Sequence, residues 1–230
     1  MIPCISVDNM RRSDAYTIEN LVPGLELMGR AAYGVYLACA WKAPVAIVAG
    51  SGNNGGDGFA LACILQEKGI PCSVFTVGSR LSADSAFYAE KAQNLGVPVE
   101  PFSPDCLTGF ATLVDCLLGT GFQGGIRENY RAAIDAINES ASFVVSVDIN
   151  SGMNGDTGAC EIAVRSDLTV TIGFVKQGLV AENAGNYMKR LICADIGITL
   201  VEQEQMISEE PMDGCIACPH WLDMTVIKAY

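Results

Sequence analysis

The chain has 230 residues, half of them apolar, and carries 26 acidic against 14 basic side chains for a formal net charge of −12. That length suffices for one substantial α/β domain with a small appendage and a sizeable core. Lys and Arg form no cluster, which argues against general nucleic-acid binding, and the apolar runs are broken by Gly, Pro or charge, which argues against a membrane span.

The opening "MIPCISVDNMRR" lacks the basic-then-apolar order of a signal peptide, and a cytoplasmic protein is expected. "NMRRSDAYTIEN" and "GLELMGRAAYGVYLACAW" read as two N-terminal helices, the second apolar on several faces and therefore expected to be largely buried. "PVAIVAG" is a strand, "DGFALACILQEKG" a helix stopped at Gly69, and "PCSVFTVG" a strand. "SADSAFYAEKAQNLG" is a helix capped by Ser82 and stopped at Gly96. "VPVEPF" is a short strand that its prolines place near a sheet edge, and "FATLVDCLLG" is another strand. "ENYRAAIDAINES" is a helix, and "SFVVSVDI", "DLTVTIG" and "RLICADIG" are strands. The alternation predicts an α/β fold, a three-layer αβα sandwich around a Rossmann-like, mostly parallel sheet.

The remainder reads as a C-terminal tail. Its "VEQEQMISEE", with Glu202, Glu204, Glu209 and Glu210, reads as a solvated acidic connector. Ten cysteines in mostly apolar surroundings suit buried free thiols in a reducing compartment. "CIACPH" has a C-x-x-C spacing, but a zinc site there would need a fourth ligand, and the chain has a single histidine, His220. That single histidine also argues against a His-based catalytic triad.

In parallel sheets ligands bind beyond the carboxyl ends of the strands. Four polar, Gly-rich loops fall there: "GSGNNGGDG", "DCLLGTGFQGG", "DINSGMNGDTG" and "GFVKQG". The first contains the G-x-G-x-x-G spacing, with a helix expected to begin near Asp57 and favour phosphate. A dinucleotide cofactor site also wants an acid at the end of the next strand, and that end reads Val77-Gly78-Ser79-Arg80. The loop is not a P-loop, which would require G-x-x-x-x-G-K-[ST]. Asn53, Asn54 and Asp57 offer groups for substrate hydroxyls or amides, or oxygens for a hard cation. Asp115 at its strand end is either a turn cap or a cation ligand, and "GTGFQGG" supplies a second set of backbone donors. Asp148 is either a general base or a turn cap; Ser151 offers a hydroxyl to a cation or phosphate. Lys176 is either a surface lysine or an ammonium that pairs an anion or donates a proton.

Together, "GSGNNGGDGFALA", "VDCLLGTGFQGG", "SVDINSGMNGDTG" and "TVTIGFVKQGL" resemble, in order and spacing, the NAD(P)H-hydrate epimerase family, also known as the YjeF N-terminal domain. "MRRSDAYTIEN…LELMGRAA" and "ADIGI" fit as well, so the resemblance covers residues 5–198. It implies an epimerase domain over residues 1–198 with two N-terminal helices, followed by a tail, 199–230, of unassigned role. It further implies an isomerase that interconverts the R and S epimers of hydrated NADH or NADPH, a damaged form of the cofactor. The functional partner would be an ATP- or ADP-dependent dehydratase, for which the tail is too short to provide a domain. Carried over by resemblance, Asn53, Asn54, Gly55, Gly56 and Asp57 contact substrate. The segment Gly119, Thr120, Gly121, Phe122, Gln123, Gly124 and Gly125 holds its phosphate. Asp148 also contacts substrate and, with Lys176, performs acid–base chemistry. Asn54, Asp115 and Ser151 bind a potassium ion, K+, and a homodimer is implied. Asn150 replaces the proline of the family's "VDIPSG", losing a rigid φ but no reacting group. The alternatives are a non-catalytic nucleotide- or partner-binding module on the same fold and an NADP-dependent reductase; the missing ribose carboxylate argues against the latter.

Overall fold

The computed structural model describes all 230 residues. The chain begins with strand β1 (Ile2–Ile5) and helices α1 (Val7–Asn20) and α2 (Gly24–Ala38). Then β2 (Val45–Ala49), α3 (Asn53–Glu67), β3 (Cys72–Thr76), α4 (Ala83–Asn94) and β4 (Val99–Pro101) run to one edge of a sheet. β5 (Thr112–Cys116), α5 (Glu128–Glu139), β6 (Phe143–Val147), β7 (Leu168–Ile172), β8 (Val175–Lys176) and β9 (Leu191–Asp195) follow, and β10 (Gln205–Ser208), β11 (Cys215–Ala217) and β12 (Leu222–Lys228) close the chain.

Eight strands form one parallel sheet in the order β12-β9-β7-β6-β5-β2-β3-β4. Its strands are apolar on both faces, and the period of two sends alternate residues to different cores. In β2, Val45, Ile47 and Ala49 join the cluster beneath α2 and α3, while Ala46 and Val48 join the one beneath α5. β9 divides likewise: Ile192 and Ala194 pack with α2, and Leu191 and Cys193 face the other way. The two faces are covered unequally. Helices α2, α3 and α4 cover one. On the other, α5 shares the work with a four-stranded sheet, β11-β10-β1-β8.

That second sheet is where the structure departs from the sequence reading. Residues 199–230, expected only as a tail of unassigned role, are built into both sheets: β10 pairs antiparallel with β1, and β12 extends the main sheet beside β9. Ile207, Trp221 and Leu222 are buried, and the Trp221 indole donates to the Leu179 carbonyl at 3.0 Å. The acidic segment is solvated at Glu202, Glu209 and Glu210, as expected, but not at the half-buried Glu204. The Glu204 carboxylate accepts from the Ser6 amide (2.8 Å) and hydroxyl (2.7 Å), and Glu202 pairs with Arg12 at 2.6 Å. Ser6 in turn caps α1, accepting from the Asn9 amide at 3.2 Å, while Asp156 accepts from the Val7 amide at 2.6 Å. These acids satisfy free amides at the start of α1 and suit the positive end of its dipole. They fix the helix that forms one wall of the cleft described next.

Candidate active site

β5 lies on the opposite side of β2 from β3, so the loops after β2 and β5 diverge at the carboxyl ends and open a crevice. The loops touch at the base, where the Gly50 amide donates to the Cys116 carbonyl at 2.9 Å. A Cβ on Gly50 would stand 1.9 Å from the Leu117 carbonyl oxygen, and one on Gly55 would stand 2.0 Å from that of Gly50. The first and third glycines of G-x-G-x-x-G thus allow backbone to pack on backbone. α3 begins at Asn53, not near Asp57. It has no side-chain cap and no acid in its first turn, so its leading amides remain free for an anion.

The crevice is a cleft of about 610 Å³, lined on one side by the β2 and β5 loops and on the other by α1 and the start of α2. It brings together most of the residues singled out from sequence. Asn53, Asn54 and Asp57 line it, as do Gly119, Thr120, Gly121, Phe122, Gln123, Gly125, Asp148 and Lys176. Gly124 is exposed elsewhere on its loop, at φ 88°. Gly55 and Gly56 are buried behind the wall, where a Cβ on Gly56 would meet Ser85 Oγ at 2.4 Å. Asp115 and Ser151 are wholly buried beneath it.

At the cleft floor Lys176 and Asp148 form an ion pair, Nζ to Oδ1 at 2.6 Å, with the lysine side chain 1% and the aspartate 13% exposed. Lys176 Nζ also donates to Thr171 Oγ1 at 3.0 Å and to the Ile172 carbonyl at 2.6 Å. Its three protons are thereby committed, and it is a fixed charge rather than a mobile surface lysine. Asp148 Oδ2 accepts from the Thr120 amide at 3.1 Å. Asp148 is the one non-glycine residue at positive φ, 70°. A strained backbone of this kind persists where surrounding contacts over-determine it.

Asp115 behaves differently. Its oxygens accept from the Leu117 amide (3.2 Å), the Ser146 hydroxyl (2.9 Å), and the amide (2.9 Å) and hydroxyl of Ser151. Burial pushes this carboxyl upward while those hydrogen bonds pull it back. The Ser151 hydroxyl accepts from the Leu118 amide at 2.8 Å, tying the β5 loop to the loop after β6. On the far side of that segment stands Asn54, whose Oδ1 and Nδ2 are both buried with no hydrogen-bond partner. A Cβ on Gly119 would meet the Asn54 side chain at 3.2 Å and Asp148 Oδ2 at 3.1 Å. An orphaned buried amide oxygen beside an oxygen-rich knot fits a hard cation.

Two further carboxylates face the cleft. Burial pushes Asp57 well above the usual carboxylate range, the charges of Asp148 and Asp14 push it further, and Lys176 opposes them. Asp14 is also raised, first by burial and then by Asp148. The sequence reading passed over Asp14 and its neighbour Arg11, which donates to the Thr120 carbonyl at 3.2 Å. A signal was present: Met10, Asp14 and Ile18 are spaced by four, so an acid interrupts the middle of an apolar stripe on α1. All three line the cleft.

The fold and this cleft define an open parallel α/β protein with an acid–base cluster at its topological switch point. Residues 24–178 match the family described as YjeF-related protein N-terminus, and the chain belongs to that family. It is 36% identical over 199 residues to the NAD(P)H-hydrate epimerase of Limosilactobacillus fermentum, covering 83% of this chain and 95% of that one. The enzyme of the same name from Oenococcus oeni is 36% identical over 203 residues, covering 84% and 96%. A bifunctional NAD(P)H-hydrate repair enzyme from Coxiella burnetii is 32% identical over 197 residues, 83% of this chain but 40% of that longer one. Among solved structures, yeast ynu0 superposes with a TM-score of 0.72 at 19% identity, covering 87% of this chain and 96% of that one, a likeness of fold.

Proposed function

We propose that the protein is an NAD(P)H-hydrate epimerase, an isomerase that interconverts the R and S epimers of hydrated NADH and NADPH. The observation that carries this reading is the Asp148–Lys176 pair on the floor of a dinucleotide-sized cleft, flanked by free helix-terminal amides and a glycine-rich loop. The relatives that bear the epimerase name match over most of the chain, which supports the same activity.

In this reading the free amides at Asn53 and Asn54 and the 119–125 loop hold the pyrophosphate by oriented donors rather than by net charge. The nicotinamide end then reaches Asp148. Lys176 orients that carboxylate, and Asp148 accepts or relays a proton at the hydroxyl-bearing ring carbon. Lys176 acts through Asp148, since its own protons are engaged within the protein. Asn54, Asp115 and Ser151 would hold a potassium ion, which when bound supplies positive charge near the phosphates. Its binding would compete with the Ser151–Asp115 hydrogen bond. The consumer of the product would be a dehydratase, with ATP or ADP as its expected driver; the bifunctional repair enzymes among the relatives are consistent with such a linked second activity. A cytoplasmic setting suits that role, and no helix is long and apolar enough to cross a membrane.

The test is chiral chromatography of hydrated NADPH over time, with and without protein. Interconversion accelerated by the native chain, and slowed about 100- to 10,000-fold in a folded Asp148→Asn variant, is expected. Full activity in that variant would remove Asp148 from the mechanism, and no acceleration by the native chain would refute the epimerase reading.

A further inference from the structure

We propose that Asp14 is a second acid–base residue of this cleft, which protonates the departing hydroxyl of the hydrated ring while Asp148 serves the incoming water. The inference rests on the epimerase reading and deepens it. Asp14 projects from α1, on the cleft wall formed by the helices, whereas Asp148 stands on the floor at the end of β6. Its half-buried carboxylate has no hydrogen-bond partner within the protein, although the helix that carries it is fastened at its start by Glu204 and Asp156. A carboxyl group left unbonded in a cleft is available to a ligand, and its half-burial costs the ionised form solvation.

The charges around it favour a held proton. Asp57 approaches from α3 and Asp148 from the strand end, with Lys176 behind Asp148; Asp84 lies on α4, and Arg11 is on Asp14's own helix. Lys176 gives its protons to Asp148, Thr171 and Ile172, so it neutralises Asp148 first. Asp14 is raised, first by burial and then by the Asp148 charge, with Lys176 opposing. Two carboxyl groups in such unlike settings, one unbonded on the wall and one ion-paired on the floor, can divide the acid and base roles.

The step balances as follows. The hydroxyl-bearing carbon is bonded to the ring nitrogen. The proton of Asp14 passes to the hydroxyl oxygen, the C–O bond breaks, and its electron pair leaves on water. The nitrogen lone pair forms a C=N bond, giving an iminium cation that the surrounding carboxylates stabilise. A water molecule then adds to the opposite face, and its proton goes to Asp148. In the reverse direction the two carboxyls exchange roles. Nothing is oxidised or reduced. The alternative, ring opening by cleavage of the C–N bond, would keep the original oxygen on carbon.

The experiment follows one epimer of hydrated NADPH in ¹⁸O-labelled water, with the native chain and with Asp14→Asn and Asp14→Glu. With the native chain, label should enter the hydroxyl as fast as the epimers interconvert. Asp14→Asn should slow both about 100-fold in kcat, with KM within a few-fold and an unfolding midpoint no lower than that of the native chain. Asp14→Glu should recover part of the loss. An Asp14→Asn variant within about threefold of native activity would overturn the proposal, as would inversion much faster than label entry. A native chain that does not accelerate inversion at all would instead bring down the epimerase reading on which the proposal depends.

Discussion

Two aspartates end neighbouring parallel strands, and they have been put to opposite uses. Asp115 in β5 lies opposite Ser146 of β6, wholly buried, and takes hydrogen bonds from Leu117, Ser146 and Ser151. Asp148, two residues beyond Ser146, takes one amide and one ammonium, stands at φ 70°, and opens on the cleft. The first has its lone pairs filled by the protein and holds two loops together. The second is held in place by a few strong contacts and keeps capacity for a ligand. Two residues of advance along the strand and fewer donors aimed at it separate the chemical carboxylate from the structural one.

Exchanging the insult between the two should expose the difference. Asp148→Asn is expected to keep the fold and lose about 100- to 10,000-fold in epimerisation, the largest effect on activity. Lys176→Met should do more harm to stability. It leaves the Asp148 charge low in the cleft without its partner, and breaking such a pair costs about 3–5 kcal/mol. Chemical denaturation would read that loss, and a midpoint equal to native would mean that the pair is not buried as described. Asp115→Asn puts an NH2 group where only donors converge, at a cost of about 1–3 kcal/mol. For a chain of this size that is a fall of roughly 3–10 °C in unfolding midpoint. Activity should fall somewhat further than the folded fraction, because a proposed potassium ligand is weakened along with the knot. Smaller still is the cation effect. Potassium, compared with tetramethylammonium, should raise the midpoint of the native chain by a degree or more, and Asn54→Ala should abolish the difference. An equal response in the variant would free Asn54 from the proposed set.

Much of the frame was legible because its signals are local and periodic. Ser82 caps α4 through the Ser85 amide as its sequence position suggests, α3 and α4 stop just short of Gly69 and Gly96, and the proline-flanked β4 is an edge strand. Four glycine-rich loops at strand ends pointed to one rim, and the cleft is built there. The second sheet was not legible. β1 and β8 are four and two residues long, and their partners lie far away in sequence, as in the pairing of Ile2 with Ile207. No periodicity announces such a contact. The acids after residue 199 read as solvated because composition cannot say that Glu204 meets Ser6. The same limit hid the roles within the site. For Lys176 the residues alone leave a surface lysine and an anion-pairing ammonium both open, and the structure sets its ammonium against three acceptors; nothing local singles out Asp14, which comes to the cleft only because α1 lies over the strand ends.

At Asp57 the sign of the effect should reverse. Four hydrogen bonds oppose the upward push that burial gives Asp115, although burial still prevails; Asp57 has no such donors, and two neighbouring carboxylates repel it. Its folded form therefore binds a proton more tightly than the unfolded chain, whose value lies near 3.8. Below that pH both states are protonated and Asp57 makes no difference. As the pH climbs from about 4 toward the raised folded value, the unfolded chain has already released its proton and the folded one has not, so stability falls. Asp57→Asn removes that liability with little change of shape. The variant should unfold at a higher temperature than native at pH 7, and the gain should shrink to nothing as the pH is lowered toward about 4. Epimerisation should weaken at the same time if Asp57 touches substrate, as in other sites that trade stability for activity. A midpoint at pH 7 no higher than native would mean that Asp57 is satisfied after all, and the contrast with Asp115 would then rest on Asp148 alone.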